Sequence, residues 1–391
     1  MMKHLQMKYN WVQMLYWIAT CSLTGYIAVF LQWKGLSNTE IGIVTGMGCI
    51  LSIIVGPFIS GLIGQIEHLT INKLLTMIIV YQILIFLLIT FLKLPTVIIM
   101  ILDISIITLS YACVPLLSMI CMNHLKVGHY INFGIARGLG SIAYATTAFS
   151  IGLLVDKLNP SLLVIFFVCG MILLLIDLYS IEDVEISGDA KSAEHISVFK
   201  FIRTYHFYFI ILLGFGITFG ASAMLSTYLI NIVKHLGGTT SFYGIAVFAM
   251  AASELPFMAI THTLLKHFKS EQLFVVAGMM YIVRNLLICL APNLPILILG
   301  MLSQGASYGL FTATITYYVS DHIDGKHEMM GQTMISMMST GLGSFMGNVM
   351  GGLLQDNFGL SIMLIAGIIM TIVGSLILVV FSLKQLQTYK S

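Results

Sequence analysis

The sequence predicts an all-α integral membrane protein with twelve transmembrane helices in two pseudo-symmetric six-helix halves. Three observations predict this fold class: the apolar composition, a succession of hydrophobic runs of membrane-spanning length, and an internal repeat. Of the 391 residues, 58% are hydrophobic and only 9% are charged, whereas about a quarter of the residues in soluble domains are charged. The net charge is only +2, so the composition does not point to nucleic acid as a partner.

The internal repeat relates segments that lie half a chain apart. Residues 138–141 have the sequence G-L-G-S, which returns at 341–344. Residues 152–156 have the sequence G-L-L-V-D, which returns as G-L-L-Q-D at 352–356. The two offsets are 203 and 200 residues. We therefore expect the second half of the chain to repeat the fold of the first.

Twelve hydrophobic runs are predicted as transmembrane spans, numbered 1 to 12 in chain order. A polar segment at 182–203, interpreted as a cytoplasmic linker, separates an N-terminal half (1–181) from a C-terminal half (204–391). Because each half holds an even number of spans, both enter the membrane in the same sense, as in the parallel repeats of the major facilitator architecture. The spans lie near residues 11–33, 40–64, 73–92, 95–121, 131–155, 161–180, 204–233, 241–265, 271–290, 294–319, 328–354 and 359–383.

The distribution of Lys and Arg predicts the orientation of the spans. With the N-terminus inside, the inner connections hold twelve of the eighteen Lys and Arg residues and the outer connections hold four. Positive residues favour the cytoplasmic side, so we expect both termini to be cytoplasmic and the protein to lie in the inner or plasma membrane. Lys3 and Lys8 lead directly into span 1, with no cleavable signal peptide in between.

The sequence offers no motif for a cofactor, a metal ion or an energy-supplying nucleotide. All six cysteines fall within apolar runs and lack paired spacing, which favours neither disulfides nor zinc. No glycine-rich phosphate loop of the Walker type occurs. We therefore expect neither an enzyme nor an ATP-driven pump, no cofactor or metal, and transport driven by solute or ion gradients.

Charged residues inside the spans are candidate functional groups, because a charge in a bilayer is costly. Arg137 lies in span 5 and Glu254 near the middle of span 8, at comparable depths in opposite halves. This suits a substrate site to which both halves contribute. A buried carboxylate whose neighbouring cation comes and goes can take up and release a proton. The alternative for Glu254 is a neutral carboxyl group that only hydrogen-bonds to a neighbouring helix.

Four further candidates each have a structural alternative. Tyr144 lies seven residues after Arg137 on roughly the same helix face, where it would hold a sugar ring or an aromatic solute, or pack in the core. Gln304 in span 10 faces either the substrate cavity or another helix. Arg284, in the outer half of span 9, would bind substrate or form a fixed ion pair. Asp103, in the outer half of span 4, would carry a proton or join helices, and Arg284 at a similar depth could hold it ionised.

The segment 133–144, F-G-I-A-R-G-L-G-S-I-A-Y, resembles the fifth-helix signature of the lactose permease-like branch of the major facilitator superfamily. That branch includes oligosaccharide:proton symporters and a set resembling phenylpropionate and nucleoside transporters. The resemblance extends over the whole chain. Residues 35–42 look like the first external loop of this branch, 254–256 like its eighth helix, and Arg284 like its ninth-helix arginine.

The resemblance implies roles for individual residues and also shows where this chain departs from the pattern. By analogy, Arg137 and Glu254 would contact the substrate, and Tyr144 would take the place where lactose permease stacks a tryptophan on sugar. Three titratable positions of the branch are replaced, and the aspartate-arginine gating motif after helix 2 is absent. Proton coupling would then fall chiefly on Glu254. The replacements are Ser118 in span 4, Gln304 and Ser307 in span 10, and Gln65-Ile66 after span 2.

Together these patterns predict a secondary active transporter, a proton-coupled importer of a sugar-like or other small polar organic solute. The expected partners are the solute, protons and the lipid bilayer, with the protein as a monomer. Two alternatives are an exporter of drugs or metabolites and an uncoupled facilitator. A non-transporting membrane sensor is a third, although the 391 residues leave no room for an added signalling domain.

Overall fold

The computed structural model describes residues 2–66, 68–184, 198–324 and 326–388, and the regular secondary structure in these ranges is helical. Every predicted span falls on a helix. In the N-terminal half the helices are Met2–Thr20 with a π-helical turn Cys21–Gly25 and Ile27–Trp33 (span 1), Asn38–Gln65, Ile71–Phe91, Thr96–Lys126, Phe133–Lys157 and Leu162–Tyr179.

The C-terminal half has the same order of helices, preceded by a short helix at Val198–Thr204. Spans 10 and 11 each contain a π-helical stretch, at Gly305–Gly309 and Met337–Gly343. The helices are His206–Thr227 with Leu229–His235 (span 7), Thr240–Leu264, Ser270–Cys289, Leu294–Leu302 with Leu310–His322 (span 10), Glu328–Ser336 with Ser344–Phe358 (span 11), and Leu360–Thr388.

By length and composition, ten of the described helices could cross a membrane, or eleven if the bent first pair counts as one span. That pair, Leu5–Gly25 and Ile27–Trp33, is bent by 49°. Span 11 is helical but is not among the ten, and its sequence is rich in Gly, Ser and Thr. The protein is therefore an all-helical, multi-pass membrane protein.

The chain divides into two compact units. One contains Met1–Ser187 with Gly238–Phe248, and the other contains Gly188–Gly237 with Ala249–Ser391. The boundary between Phe248 and Ala249 falls inside span 8. Most of the predicted linker (182–203) lies outside the described residues, so the predicted division into halves stays a prediction.

Corresponding helices make corresponding contacts in the two units, as the internal repeat predicts. In the first unit, span 1 packs against spans 5 and 6. In the second unit, span 7 packs in the same way against spans 11 and 12. The first helix of each half is thus the element around which the fifth and sixth are arranged.

Glycines let these central helices approach closely. A Cβ atom at Gly140 of span 5 would lie 2.5 Å from Trp17 Cδ1 in span 1, and one at Gly343 would lie 2.7 Å from Gly216 O in span 7. At Gly138, the first glycine of the repeated G-L-G-S segment, a Cβ atom would have open space. Small residues at the repeat tetrad therefore do serve helix packing, but through its second glycine.

Gly347 gives a test of this packing. A Cβ atom there would clash with the backbone oxygen of Gly220 across the contact between spans 11 and 7. We expect Gly347→Ala to destabilise the second unit by about 1–3 kcal/mol, a typical cost of overpacking. Gly61→Ala is the matched control, because Gly61 is exposed within span 2 and its Cβ would meet nothing. Thermal unfolding in detergent should show a lower midpoint for Gly347→Ala only; equal midpoints would contradict this packing.

Candidate functional site

Arg137 lies at the centre of a polar and aromatic cluster in the first unit. Its guanidinium carbon lies 4.1 Å from the centroid of the Trp17 ring, a distance at which a cation is attracted to an aromatic face. Its Nη1 atom donates a hydrogen bond to Ser141 Oγ over 2.8 Å, one helical turn further along span 5. The half-buried guanidinium is therefore oriented by a ring on one side and a hydroxyl on the other.

Span 1 supports this cluster with a short chain of hydrogen bonds. Trp17 Nε1 donates to Gln13 Oε1 over 3.3 Å, and Gln13 Nε2 donates to Tyr9 OH over 3.0 Å. The hydroxyl of Tyr9 in turn donates to the backbone oxygen of Leu117 in span 4 over 3.0 Å. Sequence reasoning missed Trp17 and Gln13. The signal was present, since a tryptophan and an amide four residues apart in an apolar span lie on one helix face.

Tyr144 joins the same cluster. Its ring packs edge-on against Trp17, with 6.2 Å between the ring centroids. Ser118, where the resemblance to the lactose permease-like branch implies an acid, donates to its own helix at Val114 O over 3.1 Å. The cluster of Arg137, Trp17 and Tyr144 thus presents one cation and two aromatic rings.

Glu254 and Gln304 form a pair in the second unit. Gln304 Nε2 donates to Glu254 Oε1 over 3.0 Å. Gln304 is 8% exposed, whereas Glu254 is half-buried. The structure therefore brings together two of the predicted site residues from spans 8 and 10.

The π-helical stretch of span 10 lies next to this pair and packs closely against span 8. Gly305 lets the backbone of span 10 touch span 8, where its N–H donates to Ser253 Oγ over 3.0 Å. A side chain at Gly305 would clash with the backbone oxygen of Ser253. The hydroxyl of Ser307 donates to Ser303 O over 3.0 Å within its own helix. The close approach at Gly305 thus sets the distance between Gln304 and Glu254.

Arg284 is fully buried in the second unit. Its Nη1 donates to Asn285 Oδ1 over 2.7 Å, and Asn285 Nδ2 donates to Thr371 Oγ1 over 2.7 Å and to Ser222 Oγ over 3.3 Å. The Nε and Nη2 atoms of Arg284 have no hydrogen-bond partner among the described residues. Glu254 is the carboxylate that interacts electrostatically with this guanidinium. A buried cation of this kind needs such a negative neighbour.

Asp103 is fully buried in the first unit, and neither carboxylate oxygen has a hydrogen-bond partner in the described part of the chain. Lys34, just after span 1, interacts electrostatically with it. Partial burial lowers the pKa of Lys34, and the charge of Asp103 acts in the opposite direction. The Lys34 ammonium also donates to Thr90 O over 3.0 Å. Lys34 is therefore the cation that accompanies Asp103 within this unit, although its position in a loop gave no sign of this in the sequence.

A separate cavity lies where span 8 connects to span 9. It has a volume of about 400 Å³ and is lined by Lys266, His267, Glu271 and Asp321 among others. None of the predicted site residues lines this cavity. Within the described ranges, no group of three or more His, Cys, Asp or Glu residues could hold a metal ion. The candidate binding groups are therefore two polar clusters. One consists of Arg137, Trp17 and Tyr144, and the other of Glu254, Gln304 and Arg284.

Charged residues inside membrane-spanning helices of a repeated fold are typical of solute transporters. The chain matches the MFS_1 like family over residues 6–373. It belongs to this family of the major facilitator superfamily, and it is a secondary transporter.

Individual relatives are distant in sequence. The chain is 24% identical to the maltose permease of Geobacillus stearothermophilus over 274 residues, which cover 70% of this chain and 69% of the permease. It is 24% identical to the uncharacterized transporter YwbF of Bacillus subtilis (strain 168) over 229 residues, which cover 58% of this chain and 56% of YwbF.

Solved structures match over nearly the whole chain. The crystal structure of the nucleoside transporter NupG superposes with a TM-score of 0.80 at 14% identity and covers 96% of this chain and 98% of NupG. The crystal structure of a D-xylose-proton symporter superposes with a TM-score of 0.67 at 13% identity, and it covers 97% of this chain and 95% of the symporter. These likenesses confirm the predicted fold class.

Proposed function

We propose that the protein imports a small polar organic solute of the sugar or nucleoside kind by alternating access, coupled to protons. The observation that carries this proposal is the cluster of Arg137, Trp17 and Tyr144. A planar guanidinium offers paired donors to hydroxyl or carbonyl oxygens, and the two rings offer apolar faces to a sugar or a base. The similarity of this chain to a maltose permease, a nucleoside transporter and a D-xylose-proton symporter supports the same solute class.

In this proposal Glu254 is the main proton-coupling group and also contacts the solute. Its partner Gln304 donates a hydrogen bond without being able to titrate near neutral pH. Arg284 is the cation that interacts electrostatically with this carboxylate, and we assign to solute binding its Nε and Nη2 donors, which have no partner among the described residues. Asp103 is a second proton site, accompanied by Lys34.

The location of the protein is inferred from the excess of Lys and Arg on one side of the spans. We place both termini in the cytoplasm and the protein in the plasma membrane, as a monomer. Alkylation of cysteines introduced at either terminus, in intact and in opened cells, checks this orientation.

Uptake by proteoliposomes tests the proposed function. Radiolabelled maltose, xylose and uridine are offered with an inward proton gradient, without a gradient, and with a protonophore. We expect one of these solutes to accumulate only when the gradient is present. Equal equilibration under all three conditions would indicate a facilitator. Efflux of a preloaded solute driven by the inward gradient would indicate an exporter, and no movement of any solute would exclude this solute class.

A further inference from the structure

Each aromatic ring of the Arg137 cluster lies in a space that a glycine of the opposite helix leaves. Trp17 of span 1 faces Gly140 of span 5, where a Cβ atom would lie 2.5 Å from Trp17 Cδ1. Tyr144 of span 5 faces Gly25 of span 1, where a Cβ atom would lie 2.6 Å from the Tyr144 hydroxyl oxygen. Both distances are too short for non-bonded atoms, since carbon atoms pack best at about 3.5–4.0 Å. The positions of the two rings therefore depend on glycine at these two sites.

The two rings form a corner. The centroids of Trp17 and Tyr144 lie 6.2 Å apart and the ring planes make an angle of 72°, the edge-on arrangement that aromatic pairs favour. A solute ring held between two parallel rings would need about 7 Å between them, which is two contact distances of about 3.5 Å. A solute therefore stacks on the face of one ring and has the other ring beside it. The direction of the Tyr144 ring then decides how much room a solute has in this corner.

A side chain at Gly140 would act differently from one at Gly25. At Gly140 the added Cβ would also lie 3.3 Å from the backbone oxygen of Gln13, so it would press one helix backbone against the other. At Gly25 the two nearest atoms are the hydroxyl oxygen and Cζ of Tyr144, at 2.6 and 3.3 Å. These atoms are the far end of a side chain, which moves at lower cost than a packed helix backbone. A larger residue at position 25 would therefore turn Tyr144 and leave the two helices in place.

The surroundings of Gly25 support this expectation. Gly25 ends the π-helical turn Cys21–Gly25, and single π-helical turns inside α-helices are frequent at functional sites. The next residue, Tyr26, is fully buried, and its hydroxyl donates to Ala148 O over 2.5 Å, one helical turn beyond Tyr144. This hydrogen bond holds span 1 against span 5 beside the contact with Tyr144. With span 1 fixed on one side, the half-buried Tyr144 ring gives way towards its exposed side, which is the side open to a solute.

We propose that Gly25 is a specificity-determining residue of the candidate solute site: it leaves the space in which Tyr144 lies, and so sets the largest solute that the corner of Trp17 and Tyr144 accepts. Gly25 acts through Tyr144 and makes no contact with the solute itself. Tyr144 serves the solute through its ring, because its hydroxyl oxygen lies against span 1. This inference rests on the proposed function, since it concerns the same site.

Thermal unfolding in detergent tests the contact without any solute. Gly25→Ala, Tyr144→Phe and the double variant are compared, with Gly61→Ala as the matched control, because Gly61 is exposed and its Cβ would meet nothing. Phenylalanine lacks the oxygen atom nearest to the added methyl group. We expect Gly25→Ala to lower the unfolding midpoint by about 2 °C in the wild-type background, and to have no effect in the Tyr144→Phe background. Equal lowering in both backgrounds would overturn the proposal.

Competition in proteoliposomes tests the selectivity. Counterflow of the labelled solute found active is inhibited by two unlabelled competitors of different size, maltose and xylose for a sugar or guanosine and uridine for a nucleoside. We expect Gly25→Ala to raise the ratio of half-inhibitory concentrations, larger over smaller competitor, about tenfold, the lower end of what one methylene group is worth in a pocket. Gly61→Ala should keep the wild-type ratio. The double variant should return to the ratio of Tyr144→Phe alone.

Three results would overturn the proposal: an unchanged ratio in Gly25→Ala, equal weakening of both competitors, or a double variant that keeps the ratio of Gly25→Ala. If no solute of the panel moves, the proposed function fails and the specificity with it, whereas the unfolding experiment still shows whether Gly25 positions Tyr144. If Gly25→Ala cannot be purified, the double variant decides. It should fold and show the ratio of Tyr144→Phe, and its failure to fold would also overturn the proposal.

Discussion

Glu254→Gln is expected to abolish accumulation of solute against a gradient. The amide has nearly the same shape as the carboxylate and can still hydrogen-bond to Gln304, but it cannot bind and release a proton. Solute exchange between the two sides of the membrane should therefore survive while coupled accumulation is lost. Both activities are measured in the same proteoliposomes, as counterflow of labelled solute without a gradient and as uptake with an inward proton gradient.

Asp103→Asn is the matched variant for this experiment, because it neutralises another buried carboxylate. Asp103 lies in the first unit with Lys34 as its electrostatic neighbour, so its neutralisation should do less harm to coupling. If Glu254→Gln still accumulates solute and Asp103→Asn does not, the coupling carboxylate is Asp103. Loss of counterflow in Glu254→Gln would instead show that the negative charge itself is needed for solute binding.

Arg137→Lys is expected to weaken solute binding by about ten- to a hundredfold, the cost of one lost charge-assisted hydrogen bond of about 1.5–3 kcal/mol. Lysine keeps the positive charge but lacks the planar fork that can bond to two oxygens at once. It also lacks the flat surface that lies 4.1 Å from the Trp17 ring. The measurement is the solute concentration that gives half-maximal counterflow, supported by direct binding to purified protein.

Two further variants locate the cause of that weakening. Arg203→Lys changes an exposed arginine in the short helix Val198–Thr204 and should leave solute affinity unchanged. Trp17→Phe keeps an aromatic face for Arg137 but loses the hydrogen bond to Gln13, so its affinity should fall less than that of Arg137→Lys. Wild-type affinity in Arg137→Lys would assign Arg137 to structure alone.

The fold could be predicted from the sequence because the lipid bilayer permits few backbone structures. Hydrophobic runs of membrane length can only be helices, and the repeated G-L-G-S and G-L-L-x-D segments identify corresponding helices in the two halves. All twelve predicted spans fall on helices. The π-helical stretches at Gly305–Gly309 and Met337–Gly343 were not predicted. They depend on which helix packs against the glycines, which hydrophobic periodicity does not specify.

The candidate site could be predicted from the sequence only in part. Charge inside a span was enough to single out Arg137, Glu254, Arg284 and Asp103. Their partners could not be derived in this way, because Trp17, Asn285 and Lys34 come from other helices or from a neighbouring position whose side-chain direction is set by packing. The pairing of Glu254 with Gln304 illustrates the same limit. Hydrophobicity places both residues in spans, but it does not specify that spans 8 and 10 are in contact.

Proton uptake induced by solute is the measurement that tests the central claim most directly. Wild-type protein is reconstituted into liposomes that contain a pH-sensitive dye, and solute found active in the uptake panel is added without a pre-formed proton gradient. Proton-coupled import predicts that the lumen acidifies as solute enters, and that Glu254→Gln gives no such signal under identical conditions. If wild-type protein moves the solute and the lumenal pH does not change, transport is uncoupled or uses another ion, and the assignment of Glu254 as the proton-coupling residue is wrong.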